Sequence, residues 1–194
     1  VWYGVEKDST AYSATGKTTF TAHYNWFNNE WQMSSKSENT YDALDRLTLS
    51  ERYQGVGENM RGVSRSETEY DEQGHTVMTA SYQGWNSATN TWIGYNKIER
   101  TYENNQETSL LIYGWGTDDW LPQTRFSYTY DAAGNEIIQK IEKYTNGSWS
   151  NSNKYEREYK GGTQVKDNSY LWLNDQWVFA SRNETYYDDD AQAK

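Results

Sequence analysis

The sequence predicts an all-β fold, an antiparallel array of β-hairpins in up-and-down order with about thirteen strands, twisted or coiled into an elongated sheet or open barrel. Three observations lead there. A tyrosine followed by a tight-turn signal recurs at Tyr12, Tyr41, Tyr70, Tyr102, Tyr130, Tyr159 and Tyr187, at intervals of 29, 29, 32, 28, 29 and 28 residues. A paired aromatic signature falls between these tyrosines. The chain also carries 18 tyrosines, 10 tryptophans and one proline, a composition that favours strands and leaves little room for a helix of ordinary length.

The turn is clearest at Tyr130-Asp131-Ala132-Ala133-Gly134-Asn135. Asp131 accepts hydrogen bonds from backbone N–H groups further along, and Gly134 supplies the positive φ that lets a short loop rejoin its second strand. Gly16 and Gly74 hold the same place, Asp45 and Gln106 replace it, and the Tyr159 copy has Gly161-Gly162 one position early. Asp tolerates positive φ, so Asp45 fits; in the Gln106 copy, Asn105 is the residue expected to turn.

Between tyrosines lies a Trp-x4-Trp hairpin tip, seen at Trp26 and Trp31, Trp115 and Trp120, and Trp172 and Trp177. A two-residue turn at the centre sets the two rings opposite each other on one face, where they are expected to stack. Tyr144 and Trp149 form the fifth pair, around an Asn146-Gly147 turn. Trp85 and Trp92 are separated by two extra residues, and the second copy has Gly55 and Met60 instead. Five residues after the second tryptophan comes a cation, Lys36, Lys97, Arg125, Lys154 or Arg182, with Arg65 following Met60. Strict alternation puts these cations on the face opposite the tryptophans, and Glu38, Glu67, Glu99, Glu156 and Glu184 beside them, as a ladder of charge across a solvated face.

The repeat is unbroken, so a single repeat domain is expected over 1–194: a half-unit 1–12, units 12–40, 41–69, 70–101, 102–129, 130–158 and 159–187, and a tail 188–194. Trp2, Lys7 and Tyr12 keep the spacing of Trp149, Lys154 and Tyr159, as though the chain began in mid-repeat within a longer array. Leu, Ile, Val and Phe make up only about an eighth of the residues and the net charge is −10. That combination ordinarily argues for disorder. The aromatic rings argue the other way and outweigh it, because each buries a large area and pairs well across strands.

Charge and composition also bear on function. Phosphate neutralisation needs a basic stripe, so no nucleic-acid partner is expected. No segment is apolar enough for membrane insertion. The absence of cysteine excludes disulfides and thiolate metal sites. His23 and His75 lie in different units with no companion groups for nucleophilic or metal work, and the carboxylates follow the repeat rather than depart from it, so no enzyme and no cofactor are expected. Asp188, Asp189 and Asp190 and the turn aspartates Asp42, Asp71 and Asp131 lack the spacing of a calcium loop.

The tips are different. A sugar ring needs an apolar surface to lie on and polar groups at its edge. Trp26, Trp31, Trp115, Trp120, Trp172 and Trp177 stand next to Asn28, Asp118 and Asn174, and these nine residues are the candidate glycan-binding set. A cationic ligand would find the same rings attractive. The competing reading is that the tryptophans pin the hairpins or pack on a neighbouring one.

Tyr-Asp-x-x-Gly-Asn at 130–135, with its copy at Tyr70-Asp71-Glu72-Gln73-Gly74, resembles the YD (Rhs-like) repeats of bacterial surface and toxin-shell proteins. The longer unit with its tryptophan hairpin is similar to tandem arrays in secreted proteins of the Bacteroidota. The resemblance implies an extracellular or cell-surface location and strung β-hairpins. The unit here is longer than the usual Rhs unit, and Gly-Asn, Gly-His or Gly-Lys stands where Gly-Arg often ends the turn. A fainter likeness is to choline-binding and related cell-wall-binding repeats. The function expected is a non-catalytic segment of a larger secreted or surface protein, an adhesin or spacer that contacts a glycan or cell-surface partner and the neighbouring repeats of its own chain. The alternative is a shell segment enclosing a toxin or other cargo.

Overall fold

The computed structural model describes residues 5–186. Trp2, Tyr187 and Asp188 to Asp190, with the rest of the tail 188–194, lie outside the described residues. Thirteen strands run through the described chain: β1 (Glu6–Tyr12), β2 (Thr18–Phe27), β3 (Glu30–Tyr41), β4 (Leu47–Gln54), β5 (Arg61–Tyr70), β6 (Thr76–Asn86), β7 (Thr91–Glu103), β8 (Gln106–Trp115), β9 (Trp120–Tyr130), β10 (Glu136–Thr145), β11 (Ser148–Lys160), β12 (Thr163–Leu173) and β13 (Gln176–Glu184). Their hydrogen-bonding order is their sequence order, the antiparallel meander that the repeat predicts. Among the described residues the helical content is one 3-10 turn at Gly57–Asn59. Two compact units can be distinguished, one running up to Glu99 and including Tyr113–Leu121, the other comprising Arg100–Ile112 and the residues from Pro122 onward.

Two kinds of turn recur. In the first, the N–H groups of Gly16, Asp45, Gly74 and Gly134 donate to the carbonyls of Ser13, Asp42, Asp71 and Asp131. Asp45 sits at φ 59, the conformation that glycine adopts in the other copies. Asp131 Oδ1 accepts from the N–H of Ala133 and of Asn135, and Asn135 Nδ2 donates to Asp131 Oδ2 at 2.9 Å. His75 and Arg46 hold the same place against Asp71 and Asp42, at 2.7 and 2.6 Å. Three different side chains thus do one job. The Asn135 amide, then the backbone N–H groups, hold the Asp131 carboxyl below its ordinary range. The second kind is a two-residue turn with both residues at positive φ: Asn28-Asn29, Asn104-Asn105, Asn146-Gly147, Gly161-Gly162 and Asn174-Asp175. Asn104 therefore turns together with Asn105.

Tyr41, Tyr70 and Tyr130 occupy like settings, whereas Tyr12 is 63% exposed. The hydroxyl of Tyr41 donates to the carbonyl of Thr18 at 3.0 Å, Tyr70 to Leu47 at 3.2 Å and Tyr130 to Glu107 at 2.7 Å, in each case a residue 23 positions back. In each case a side chain at the end of one strand satisfies a backbone acceptor at the start of the strand beside it, so the bond fixes the register of that hairpin.

The cations do not lie opposite the tryptophans. Strands β3, β5, β7, β11 and β13 each contain a β-bulge that absorbs one residue: on β3, His23 faces Ser35 while Tyr24 faces Met33, so Ser34 is passed over in the register. Val63, Tyr95, Ser152 and Ala180 are skipped in the same way. Five residues with one bulge behave as four, so tryptophan and cation return to the same face. There Lys36 lies 4.7 Å from the ring centroid of Tyr53, Lys97 4.1 Å from Tyr113 and Lys154 4.4 Å from Tyr170. Lys7 and Lys154 also reach Trp31 and Trp177, at 5.1 and 5.5 Å.

Nor do the repeating cations pair chiefly across strands, although Arg65 also reaches Glu51 on the facing strand at 2.5 Å. Lys36, Lys97 and Lys154 pair along their own strands with Glu38, Glu99 and Glu156 at 2.9, 2.8 and 2.7 Å, and Arg65 pairs with Glu67. The hydroxyls of Tyr82, Tyr113 and Tyr170 donate across to Glu67, Glu99 and Glu156. A half-buried cation, carboxylate and phenol thus make one bonded unit in three of the repeats. Burial together with the Glu99 carboxylate pushes Tyr113 up to about 12. In the Arg125 copy, Ser127 stands where the glutamate belongs and Glu142 where the tyrosine belongs. Arg125 Nε and Glu142 Oε2 are 2.8 Å apart, so the carboxylate has moved to the facing strand.

The core is correspondingly thin. Ala22, Ala80, Thr124 and Asn168 are the buried residues among those described, and no large side chain is fully buried. Ring packing between hairpins takes the place of an aliphatic centre. Tyr53 lies 5.5 Å from Trp92 and Tyr82 5.5 Å from Trp120. Trp92 lies against Gly62 and Trp115 against Gly94, where an added Cβ would fall 2.4 and 2.1 Å from the indole. Met33 occupies the matching position on β3, and the hairpin that follows it is the one without tryptophans.

Gly62→Ala and Gly94→Ala should each destabilise the fold by about 1–3 kcal/mol through overpacking, and Gly134→Val, at φ 87, by more than about 1 kcal/mol through backbone strain. Urea titration would measure all three. Glu142→Tyr should cost about 1 kcal/mol or less, as expected for a partly exposed pair. Adding Ser127→Glu should recover that loss, since it restores the arrangement of the other repeats; a double variant no more stable than the single would reject the exchange of roles.

Candidate functional site

The tips place their tryptophan pairs directly across from each other, as Trp26 facing Trp31 and Trp172 facing Trp177. The rings do not stack in parallel. Trp26 and Trp31 meet at 5.2 Å and 70°, Trp115 and Trp120 at 4.9 Å and 84°, and Trp172 and Trp177 at 4.9 Å and 69°. Edge-to-face contact sets the positive edge of one indole on the negative face of the other, which a parallel sandwich does not.

This geometry divides the candidate residues by role. Asn28 and Asn174 are first residues of two-residue turns, at φ 50 and 49, so the conformation of the turn already explains their identity. Asp118 lies in the turn closed by the Gly116 N–H donating to the Asp119 carbonyl at 2.8 Å, and its side chain is exposed. Trp115 rests on Gly94, while Trp31 and Trp177 each have a lysine over them. Trp26 is the most open of the six, at 40% exposed. Each pair belongs to its own hairpin.

One recess brings together residues of two successive tips. It has a volume of about 450 Å³ and is lined by Asn86, Thr89, Thr91, Trp92 and Ile93 from the β6–β7 tip and by Trp115, Gly116, Thr117 and Asp118 from the β8–β9 tip. Of the nine sequence candidates it contains Trp115 and Asp118. The sequence does carry a signal for the rest, the two extra residues between Trp85 and Trp92 that lengthen the third interval.

Among the described residues no group of three or more His, Asp and Glu side chains is placed to hold a metal ion. His23 Nδ1 lies 2.8 Å from Asp8 Oδ1. That hydrogen bond, opposed by burial, raises the imidazole above its ordinary 6.5. The fold therefore favours the protonated form, and the stabilisation is present below about 6.5 and lost as pH rises through the folded value. In an NMR titration His23 should titrate above 6.5, and Asp8→Asn should bring it back toward the ordinary value.

No family model matches the chain, and no curated protein matches it. Solved structures similar to it include a DUF3836 family protein from Bacteroides vulgatus ATCC 8482, 15% identical over 44% of this chain and 90% of its own, with a TM-score of 0.40. A protein of unknown function from Bacteroides fragilis NCTC 9343 is 17% identical over 62% of this chain and 91% of its own, with a TM-score of 0.46. TcdB2-TccC3 is 9% identical, covering 93% of this chain but 13% of its own, at 0.32. With TM-scores below 0.5, these likenesses carry no argument about what the chain does.

Proposed function

We propose that this chain is a non-catalytic, YD-like repeat segment of a larger secreted or cell-surface protein, where it serves as adhesin or spacer and contacts glycans through its tryptophan-rich hairpin tips. The observation that carries the reading is the repeated use of reactive side chains for support. Lysine, glutamate and tyrosine recur as one bonded unit, at Lys97, Glu99 and Tyr113 and again at Lys154, Glu156 and Tyr170. A catalytic pair would stand out as an exception to such a pattern. The tips, by contrast, offer partly exposed indoles beside Asn and Asp side chains, the combination that suits a pyranose. The Tyr-Asp-x-x-Gly-Asn signature supports the YD-like assignment, and the extracellular location rests on that resemblance.

A glycan array probed with the folded chain tests the contact. Binding is expected, and Asp118→Ala, which alters an exposed tip residue, should weaken it without changing the melting temperature. Trp115→Ala is the less clean probe, because that ring also packs on Gly94. A blank array with folded protein would leave the spacer role and remove the glycan one.

A further inference from the structure

We infer that the recess between the β6–β7 and β8–β9 tips is a subsite for the pyranose ring of a neutral glycan. The inference rests on the glycan-contacting reading above and narrows it to one place and one ligand class.

The recess is where the array departs from its own rule. The other tryptophan tips of the Trp-x4-Trp type have four residues between their rings, whereas Trp85 and Trp92 have six. The longer loop is internally braced: Asn86 Oδ1 accepts from the Ala88 N–H at 3.0 Å, and the hydroxyls of Thr89 and Thr91 are 2.8 Å apart. Thr89 and Thr91 line the recess together with Thr117 and Asp118 of the next tip. Trp92, Trp115 and Ile93 contribute apolar atoms to the lining, and Ile93 is 40% exposed.

A lining that combines indole and aliphatic groups with hydroxyl, amide and carboxylate groups fits a pyranoside, whose C–H face is apolar and whose edge carries hydroxyls. The volume of about 450 Å³ falls within the range of small-ligand sites. Charge selects among sugars. Asp118 accepts hydroxyl protons but repels a carboxylate, Asp119 adjoins it, and the chain as a whole carries −10. Uronic acids and sulfated sugars are therefore excluded from the subsite, and uncharged hexoses or pentoses remain.

The test is isothermal titration of the full chain with cellohexaose, laminarihexaose, mannohexaose and xylohexaose, with hexagalacturonate as the acidic contrast. At least one neutral oligosaccharide should bind and hexagalacturonate should not. Replacing Ser87–Asn90 by Asn-Gly restores the two-residue turn of the sister tips and removes Thr89 from the lining; affinity should fall about tenfold or more. Asp118→Ala, on an exposed turn, should lower it in the same direction, and Gln73→Ala, in the exposed β5–β6 turn, should leave it unchanged. Unaltered affinity in both the shortened-tip and Asp118 variants overturns the inference, as does equal binding of hexagalacturonate. If the glycan array gives a ligand but none of the four neutral oligosaccharides binds, the subsite falls and the broader glycan reading stands; if the array is blank as well, both fall.

Discussion

The structure depends on one displaced residue per repeat. Ser34, Val63, Tyr95, Ser152 and Ala180 are passed over in the ladder, and the resulting shift of parity carries the following cation to the side occupied by the indoles. Without it, Lys36, Lys97 and Lys154 would point away from Tyr53, Tyr113 and Tyr170. Each cation–ring contact is modest, about 0.5–1 kcal/mol at an exposed site and more as water is withdrawn. Repetition makes the sum matter, because no large side chain is fully buried among the described residues.

What the sequence made legible was local. An Asp that caps its own turn, a glycine at positive φ and an Asn-Gly pair act within five residues, so the turns, the strand count and the meander could be read without knowing any partner strand. The substitution of His75 for Asn135 was legible for the same reason. The bulges were not, because a bulge exists only relative to the strand opposite, and counting along one strand put the cations on the wrong face. The recess between the two tips was half legible: Trp115 and Asp118 belong to a conspicuous motif, whereas Trp92, Ile93 and Thr89 come together with them only in three dimensions.

The same dependence on a partner explains the correspondence between glycine and indole. Gly62 and Gly94 are extended residues with no turn to make; they are small because Trp92 and Trp115 occupy the space beside them. Met33 stands at the equivalent place before a hairpin that has no indole pair to offer. At Gly62 and Gly94 residue size thus follows the next tip rather than the needs of its own strand, whereas Asn151, at the same place before the Trp172–Trp177 tip, does not follow it.

The exchange of roles between Ser127 and Glu142 extends this point to the genetics of the array. Tandem repeats are prone to unequal recombination, which joins the front of one copy to the back of another. A crossover falling between Arg125 and Glu142 would unite an arginine strand that lacks its own glutamate with a strand bearing tyrosine, leaving the guanidinium without a carboxylate in its cluster. A crossover after Glu142 keeps donor and acceptor together. The positions at which copies can be shuffled are thus set by where each repeat keeps its negative charge.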